Sequence, residues 1–264
     1  MHRSTLFFIF VTFVCSNTTG FAQLNFPDFG NNPSEIIPLS QGSVVGDVFR
    51  LTQDSFTNSD RGGLQFTNAQ NVIDPFEVLF DFQITSAANS GGQGFALVIH
   101  TNNNDIGDGG SLLGYNRIDD VFAIEFDTNE NASLSDPNDN HISAHLALGS
   151  DPPGPNHAIT ELSSAIPAFD LNDGNVHTIR ILNDGQNVSL FADGIELIDT
   201  QVDLSSIGLI NGTDAFIGFT SGINQNGAAN HDILNFSFTA VPEPSSTTML
   251  VVISVVGLVR RKKR

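Results

Sequence analysis

Phe76, Val78, Phe80, Phe82 and Ile84 alternate with Glu77, Leu79, Asp81, Gln83 and Thr85. Only a β-strand sends successive side chains to opposite faces, so this run predicts a long strand with one apolar face. Ile142, Ala144, Leu146 and Leu148 repeat the pattern. Gln93 to His100, Val121 to Phe126, Val176 to Leu182, Asn187 to Ala192, Ile195 to Ile198, Ala215 to Thr220 and Ile233 to Phe238 read as further strands. Asn183-Asp184-Gly185 and Asp193-Gly194 sit between them as turns, the first a hairpin signal. No stretch carries a convincing helical period. An all-β, two-sheet antiparallel sandwich follows, because half-apolar strands must bury one face against a second layer. Long polar loops, Asn102 to Leu113 and Asp151 to His157, are where such a scaffold places binding groups.

The chain has 264 residues, 22 of them Phe and none Trp, which supports one large β domain with a real core. Its formal net charge is −19. Between Gln23 and Val241 the only cations are Arg50, Arg61, Arg117 and Arg180. Nucleic acid is excluded as a partner, since phosphate neutralisation needs clustered Lys and Arg. The acidity fits solubility in a salty exterior, or the binding of cations.

Both termini are patterned. Residues 1–22 read as a secretory signal peptide: His2 and Arg3 precede an apolar run from Leu6 to Cys15, and Gly20-Phe21-Ala22 resembles a cleavage site. Cys15 is the only cysteine, so the mature domain would hold no disulfide, and bound metal could supply part of that support. The domain is assigned to residues 23–240. Residues 241–264 follow with Pro242-Glu243-Pro244, an apolar run from Met249 to Val259, and Arg260-Arg261-Lys262-Lys263-Arg264. This order resembles the PEP-CTERM sorting signal of Gram-negative-type bacteria. The resemblance implies an exosortase-type processing partner, transient membrane contact through this segment, and delivery to the outer surface or extracellular matrix. The apolar run is shorter than the roughly 20 residues of a spanning helix.

The segment from Ala123 to His141 concentrates the chemistry. On a strand, Phe122, Ile124 and Phe126 would face the core, while Glu125 and Asp127 share the other face about 6.7 Å apart. Two neighbouring carboxylates cost free energy unless something neutralises them, and no lysine exists in the domain. A divalent cation is the economical partner. Asn129, Asn131, Asp136 and His141 continue the regular spacing. Carboxylate, amide and backbone oxygens suit calcium, whereas a histidine beside carboxylates suits a transition ion such as manganese. A mixed set points to two ions sharing bridging carboxylates. An acidic, solvated loop without metal explains neither the spacing nor the histidine.

Glu125-x-Asp127-x-Asn129-x-Asn131, then Asp136-Pro137, then His141, resembles the metal signature of the legume-type (L-type) lectins. Gly109-Gly110-Ser111-Leu112-Leu113-Gly114, Gln93 to Val98, Ile217 to Thr220 and His231 to Phe238 resemble that family's flanking loop and strands. The resemblance implies a concanavalin-like antiparallel β-sandwich (a jelly roll) that binds carbohydrate without catalysis and depends on Ca2+ and Mn2+ or another transition ion. By that resemblance Glu125 and His141 bind manganese, Asn131 and the backbone oxygen of Asn129 bind calcium, and Asp127 and Asp136 bridge both. Gln93, Gly110 or Ser111, Asn131, and Asn224-Gln225-Asn226 would meet the sugar. The chain departs from the family pattern twice. Gly92-Gln93-Gly94 stands where an Ala-Asp-Gly aspartate is usual, and Asn129 stands where an aromatic ring is usual.

The expected function is therefore a secreted or surface-sorted bacterial lectin that binds glycans or exopolysaccharide. Two alternatives stay open. One is a structural matrix protein that keeps the metal-stapled fold without sugar recognition. The other is a retaining β-glucanase, because Glu125-Phe126-Asp127-Thr128-Asn129-Glu130 also resembles the Glu-x-Asp-x-x-Glu segment of such enzymes. There Glu125 would be nucleophile and Glu130 acid/base. Tyr115 reads as structural. His100, His145, His157 and His177 have no ligand-like spacing and read as strand or loop residues, and Asp105 and Asp108 as solvated loop acids.

Overall fold

A computed structural model describes residues 23–241, apart from 32, 56–59, 87–91, 103–105, 150–153 and 225–226. Residues 1–22, read from the sequence as a leader, and those beyond Val241, read as a sorting signal, lie outside the described residues. Among the described residues no helix is long and apolar enough to cross a membrane.

In chain order the strands are β1 (Gln23–Phe26), β2 (Ile36–Ser40), β3 (Ser43–Val45), β4 (Val48–Thr52), β5 (Asp60–Phe66), β6 (Gln70–Asn71), β7 (Phe76–Thr85) and β8 (Gly94–His100). They continue with β9 (Val121–Asp127), β10 (His141–Ala147), β11 (Glu161–Ala165), β12 (Val176–Asn183), β13 (Asn187–Ala192), β14 (Ile195–Gln201), β15 (Asp214–Ile223) and β16 (Asn230–Ala240). A single turn of helix, α1 (His157–Thr160), precedes β11. The back sheet runs β14-β13-β12-β7-β16-β4-β3, with β1 on β16. The front sheet runs β11-β10-β9-β8-β15-β5-β2, with β6 on β15. All pairings are antiparallel, so the expected sandwich is the observed fold.

The alternation along β7 does what its pattern predicts. Phe76, Val78, Phe80, Phe82 and Ile84 are buried between the sheets, while Glu77 turns outward to pair with Arg180 at 2.7 Å. Phenylalanine rings bridge the layers: Phe80 of the back sheet meets Phe126 and Phe219 of the front sheet edge-on, at 5.8 and 5.0 Å. Edge-to-face geometry suits the ring quadrupoles, and burying each ring contributes about 1.5–3 kcal/mol. Arg50 on β4 holds Asp232 on β16 through two 2.7 Å hydrogen bonds.

The front sheet is buried on both faces at β8 and β9. Phe122, Ile124 and Phe126 join the main core. Ala96, Val98, Val121, Ala123 and Ala147 form a smaller core on the outer face with Leu113, Tyr115 and Ile118. Segment 106–118 thus covers this face as well as carrying polar groups. Small residues on β8 leave room for that cover, and the covered face is the one that Glu125 and Asp127 share.

Candidate metal and carbohydrate site

The antiparallel register aligns the strand ends in rows. Gly222 of β15 faces Gly94 of β8, Gly94 faces Asp127 of β9, and Asp127 faces His141 of β10. The next row joins Thr220, Ala96, Glu125 and Ser143; the third joins Gly218, Val98, Ala123 and His145. Period two therefore puts Asp127 and Glu125 beside His141, Ser143 and His145 on one face. Gly94 has a φ of +107°, and a Cβ there would run into the Phe126 carbonyl. Only glycine fits so close to the strand that carries the carboxylates.

Glu125 is fully buried. The Tyr115 hydroxyl donates to its Oε1, and Ser143 Oγ donates to its Oε2 at 3.0 Å. His145 Nε2 lies 3.1 Å from Oε2 and His157 Nε2 lies 3.5 Å from it. Burial favours the neutral acid, but His145, His157 and Tyr115 outweigh it and hold the Glu125 carboxyl well below its usual range. A retaining hydrolase needs its nucleophile open to substrate. Glu125 is enclosed and Glu130 is exposed, so the β-glucanase assignment of this pair has no access for a glycan.

The remaining acids are pushed the other way. Burial, then the Glu125 charge, raises Asp127 well above the usual carboxylate range. Asp136 is pushed up to about 6, chiefly by burial, against the opposing hydrogen bond from the Asn131 backbone. Burial lowers His141. His157 is raised to about 8 despite burial, because Glu125 and Glu161 lie beside it. Without a cation, two carboxyls in this cluster resist ionisation. The donor set, carboxylates with imidazole and amide oxygens, is one that divalent ions use, so the residues fit the implied metals.

Beyond β9 the chain turns over the strand end. Asp127 Oδ1 accepts from the Asn129 backbone N–H and Asp136 Oδ2 from the Asn131 N–H, each at 2.7 Å. The Asn131 side chain donates to the Asn129 carbonyl at 2.8 Å and to Gln93 Oε1 at 3.2 Å. Asn129 Nδ2 also reaches Gln93 Oε1, at 3.5 Å. Gln93 is buried, and its backbone N–H donates to Gly222 at 3.2 Å. Gly222 packs against Gly110 so closely that a Cβ would overlap the Gly110 carbonyl. Asn224 closes a tip with Gly227 through two 3.1 Å backbone bonds. Gln93, Gly110, Asn129, Asn131 and Asn224 thus come together at one end of the front sheet, with Ser111 on the same turn as Gly110. Gln225 and Asn226 lie outside the described residues.

Three residues read as structural belong to this cluster. Tyr115 reaches in from the covering segment to Glu125. His145 is a strand residue, but its Nε2 meets Ser143 Oγ at 2.9 Å and Glu125 at 3.1 Å. The alternation His141, Ser143, His145 carried that signal. His157 arrives on α1, where Asn156 caps the turn by accepting from Ala158 N–H at 3.1 Å. Its Nε2 lies 3.0 Å from His141 Nε2. Asp108, read as a solvated acid, pairs with Arg117 at 3.0 Å and Arg61 at 3.6 Å.

The sequence profile described as the legume lectin domain matches residues 22–250. The chain belongs to the legume lectin family. Members of this family bind carbohydrate without catalysis. Lectin-like protein At1g53070 of Arabidopsis thaliana is 31% identical over 157 residues, covering 51% of this chain and 57% of the plant protein. A second Arabidopsis protein, lectin-like protein At3g16530, is 30% identical over 158 residues, 52% of this chain. The chain spans 57% of the length of each of these relatives. Among solved legume lectin folds, the lectin from Bauhinia forficata in complex with GalNAc superposes with a TM-score of 0.68 at 21% identity, covering 84% of this chain and 99% of that one. The exoplasmic domain of VIP36, in a Ca2+- and mannose-bound form, gives 0.66 at 18% identity, covering 84% and 91%.

Proposed function

We propose that this chain is a metal-dependent lectin without catalysis, exported and sorted to the outer surface or extracellular matrix of a bacterium, where it binds glycans or exopolysaccharide. The observation that carries the reading is the convergence of Gln93, Gly110 and Asn131 beside the carboxylate cluster of β9. Glu125, Asp127, Asp136 and His141 would hold the transition ion. Asp127, Asp136, Asn131 and the Asn129 carbonyl would hold calcium. The ions would add positive charge among these carboxylates and fix the turn after β9. The protein's own part is to aim Asn131, Gly110 and the Asn224 tip outward, with Ser111 beside them, as hydrogen-bonding groups for sugar hydroxyls. The GalNAc and mannose complexes of the fold neighbours support a sugar as the ligand class. Export through the leader and processing by an exosortase-type enzyme rest on the terminal sequence patterns.

One observation favours a second reading, a matrix protein stabilised by metal without sugar recognition. Gln93 is buried, and its side-chain oxygen already faces Asn129 and Asn131. A glycan array on the refolded domain, in Ca2+ and Mn2+ and again after chelation, separates the two. The lectin reading expects glycan signals that chelation removes. No signal on any glycan in the presence of both metals would sink it.

A further inference from the structure

His157 has no place in the metal signature of the sequence, yet its ring packs edge-on against that of His141, with centroids 4.8 Å apart. His141 Nδ1 lies 2.9 Å from the Asn138 carbonyl oxygen. A carbonyl can only accept, so Nδ1 carries the hydrogen, and the Nε2 of the neutral ring presents a lone pair inward. His157 Nδ1 lies 2.6 Å from Glu161 Oε2, which again places the hydrogen on Nδ1. The two Nε2 atoms face each other at 3.0 Å. Glu125 Oε2 lies 3.5 Å and Asp136 Oδ1 3.6 Å from His157 Nε2. One ligand atom each from Glu125, His141 and His157 falls within 4.8 Å of the other two.

In the metal-free chain a hydrogen on His157 Nε2, donated to the His141 lone pair, satisfies this contact, and a cation bound by both rings would take that hydrogen's place. Two nitrogens 3.0 Å apart have the spacing of adjacent ligands each about 2.1 Å from one ion. The outward partners fit as well. Metal-bound imidazoles characteristically donate their other N–H to a carbonyl or carboxylate, as His141 does to Asn138 and His157 to Glu161. His145 lacks such a free edge, because Ser143 and Thr160 occupy both its nitrogens at 2.9 Å.

We propose that His157 is a protein ligand of the transition-ion position, turning it into a two-imidazole site that prefers zinc-class ions to manganese. The inference rests on the metal-binding reading above and adds the ligand and the ion class. A second nitrogen donor favours ions later in the first transition row, because imidazole suits zinc while oxygen donors suit manganese.

The test starts from the full domain stripped with a chelator and reloaded with Zn2+ alone or Mn2+ alone. Metal per chain is measured by mass spectrometry, and affinity by competition with a coloured chelator. The wild-type chain should bind Zn2+ at least tenfold more tightly than Mn2+. His157→Gln should weaken Zn2+ binding by about 10–100-fold and Mn2+ binding by less. Unchanged Zn2+ affinity in the variant, or equal affinities in the wild type, overturns the proposal. Nitrogen NMR of histidine-labelled wild-type chain needs no variant. Zn2+ should shift the Nε2 signals of two imidazoles, whereas a single shifted imidazole contradicts the proposal and leaves the metal-dependent lectin reading intact. If the wild type binds neither ion, both fall.

Discussion

At the scale of single residues, charge is placed by burial and by partners. Glu125 stays ionised in a dry site because Tyr115, Ser143 and His145 meet both its oxygens. His100 has less help, a backbone hydrogen bond at Asn102 that only partly opposes burial. It is buried on β8, its Nδ1 has no hydrogen-bond partner among the described residues, and burial lowers its pKa to about 4. Protonation is therefore resisted in the fold but free in the unfolded chain. Stability from this group is complete above about pH 6.5 and is lost as pH falls toward 4. At pH 4 the loss is roughly 3 kcal/mol. His100→Leu should remove that acid lability, so melting temperatures of variant and wild type should diverge, in favour of the variant, between pH 7 and pH 4.5. Parallel curves would contradict the assignment. The legible residues were those in one regular segment, Glu125 to His141. His157 was not legible, because a loop of unpredictable path separates it from the strand it joins.

At the scale of elements, the site is a product of strand register. β9 delivers Asp127 and Glu125, β10 delivers His141 and Ser143 opposite them, and β8 contributes the glycine that lets the sheet close at this end. Gly94→Ala would place a methyl group against the Phe126 carbonyl at a φ that alanine resists. The expected cost is about 1–3 kcal/mol of stability. Because Gly94 faces Asp127, weaker metal binding should accompany it; chemical denaturation with and without metal reads both, and a variant as stable as wild type would refute the tight approach. Strands with clean alternation, such as β7 and β10, were visible in the sequence. β2 contains Pro38 and β5 contains Gly62 and Gly63, which hide the period-two signal, and β11 is too polar to stand out. Their strand form is decided by pairing with neighbours instead.

At the scale of the whole molecule, the sandwich carries strong negative charge and gathers several of its acids at one end. Asp127 and Asp136 are raised in the metal-free fold. A raised carboxyl gives stability that is lost as pH rises through its folded value, about 6 for Asp136. Metal binding runs opposite, since its ligands must be deprotonated. The gap in melting temperature between metal-loaded and metal-free chain should widen from pH 5.5 to pH 7.5, and scanning calorimetry at both values measures it. A constant gap would mean that these acids do not meet the ion. The sandwich was readable from alternation alone, and the carboxylate cluster at the end of β9 from its spacing. The covering of the outer face by Leu113, Tyr115 and Ile118 was not, because a few apolar residues in a polar loop carry no period. The central claim is that two ions lie at the end of β9. Anomalous diffraction from crystals grown with Ca2+ and a transition ion tests it most directly. The account predicts one transition-ion peak among Glu125, Asp136 and His141, and one calcium peak among Asp127, Asn131 and Asp136. Well-ordered side chains there with no anomalous peak at either position would contradict it.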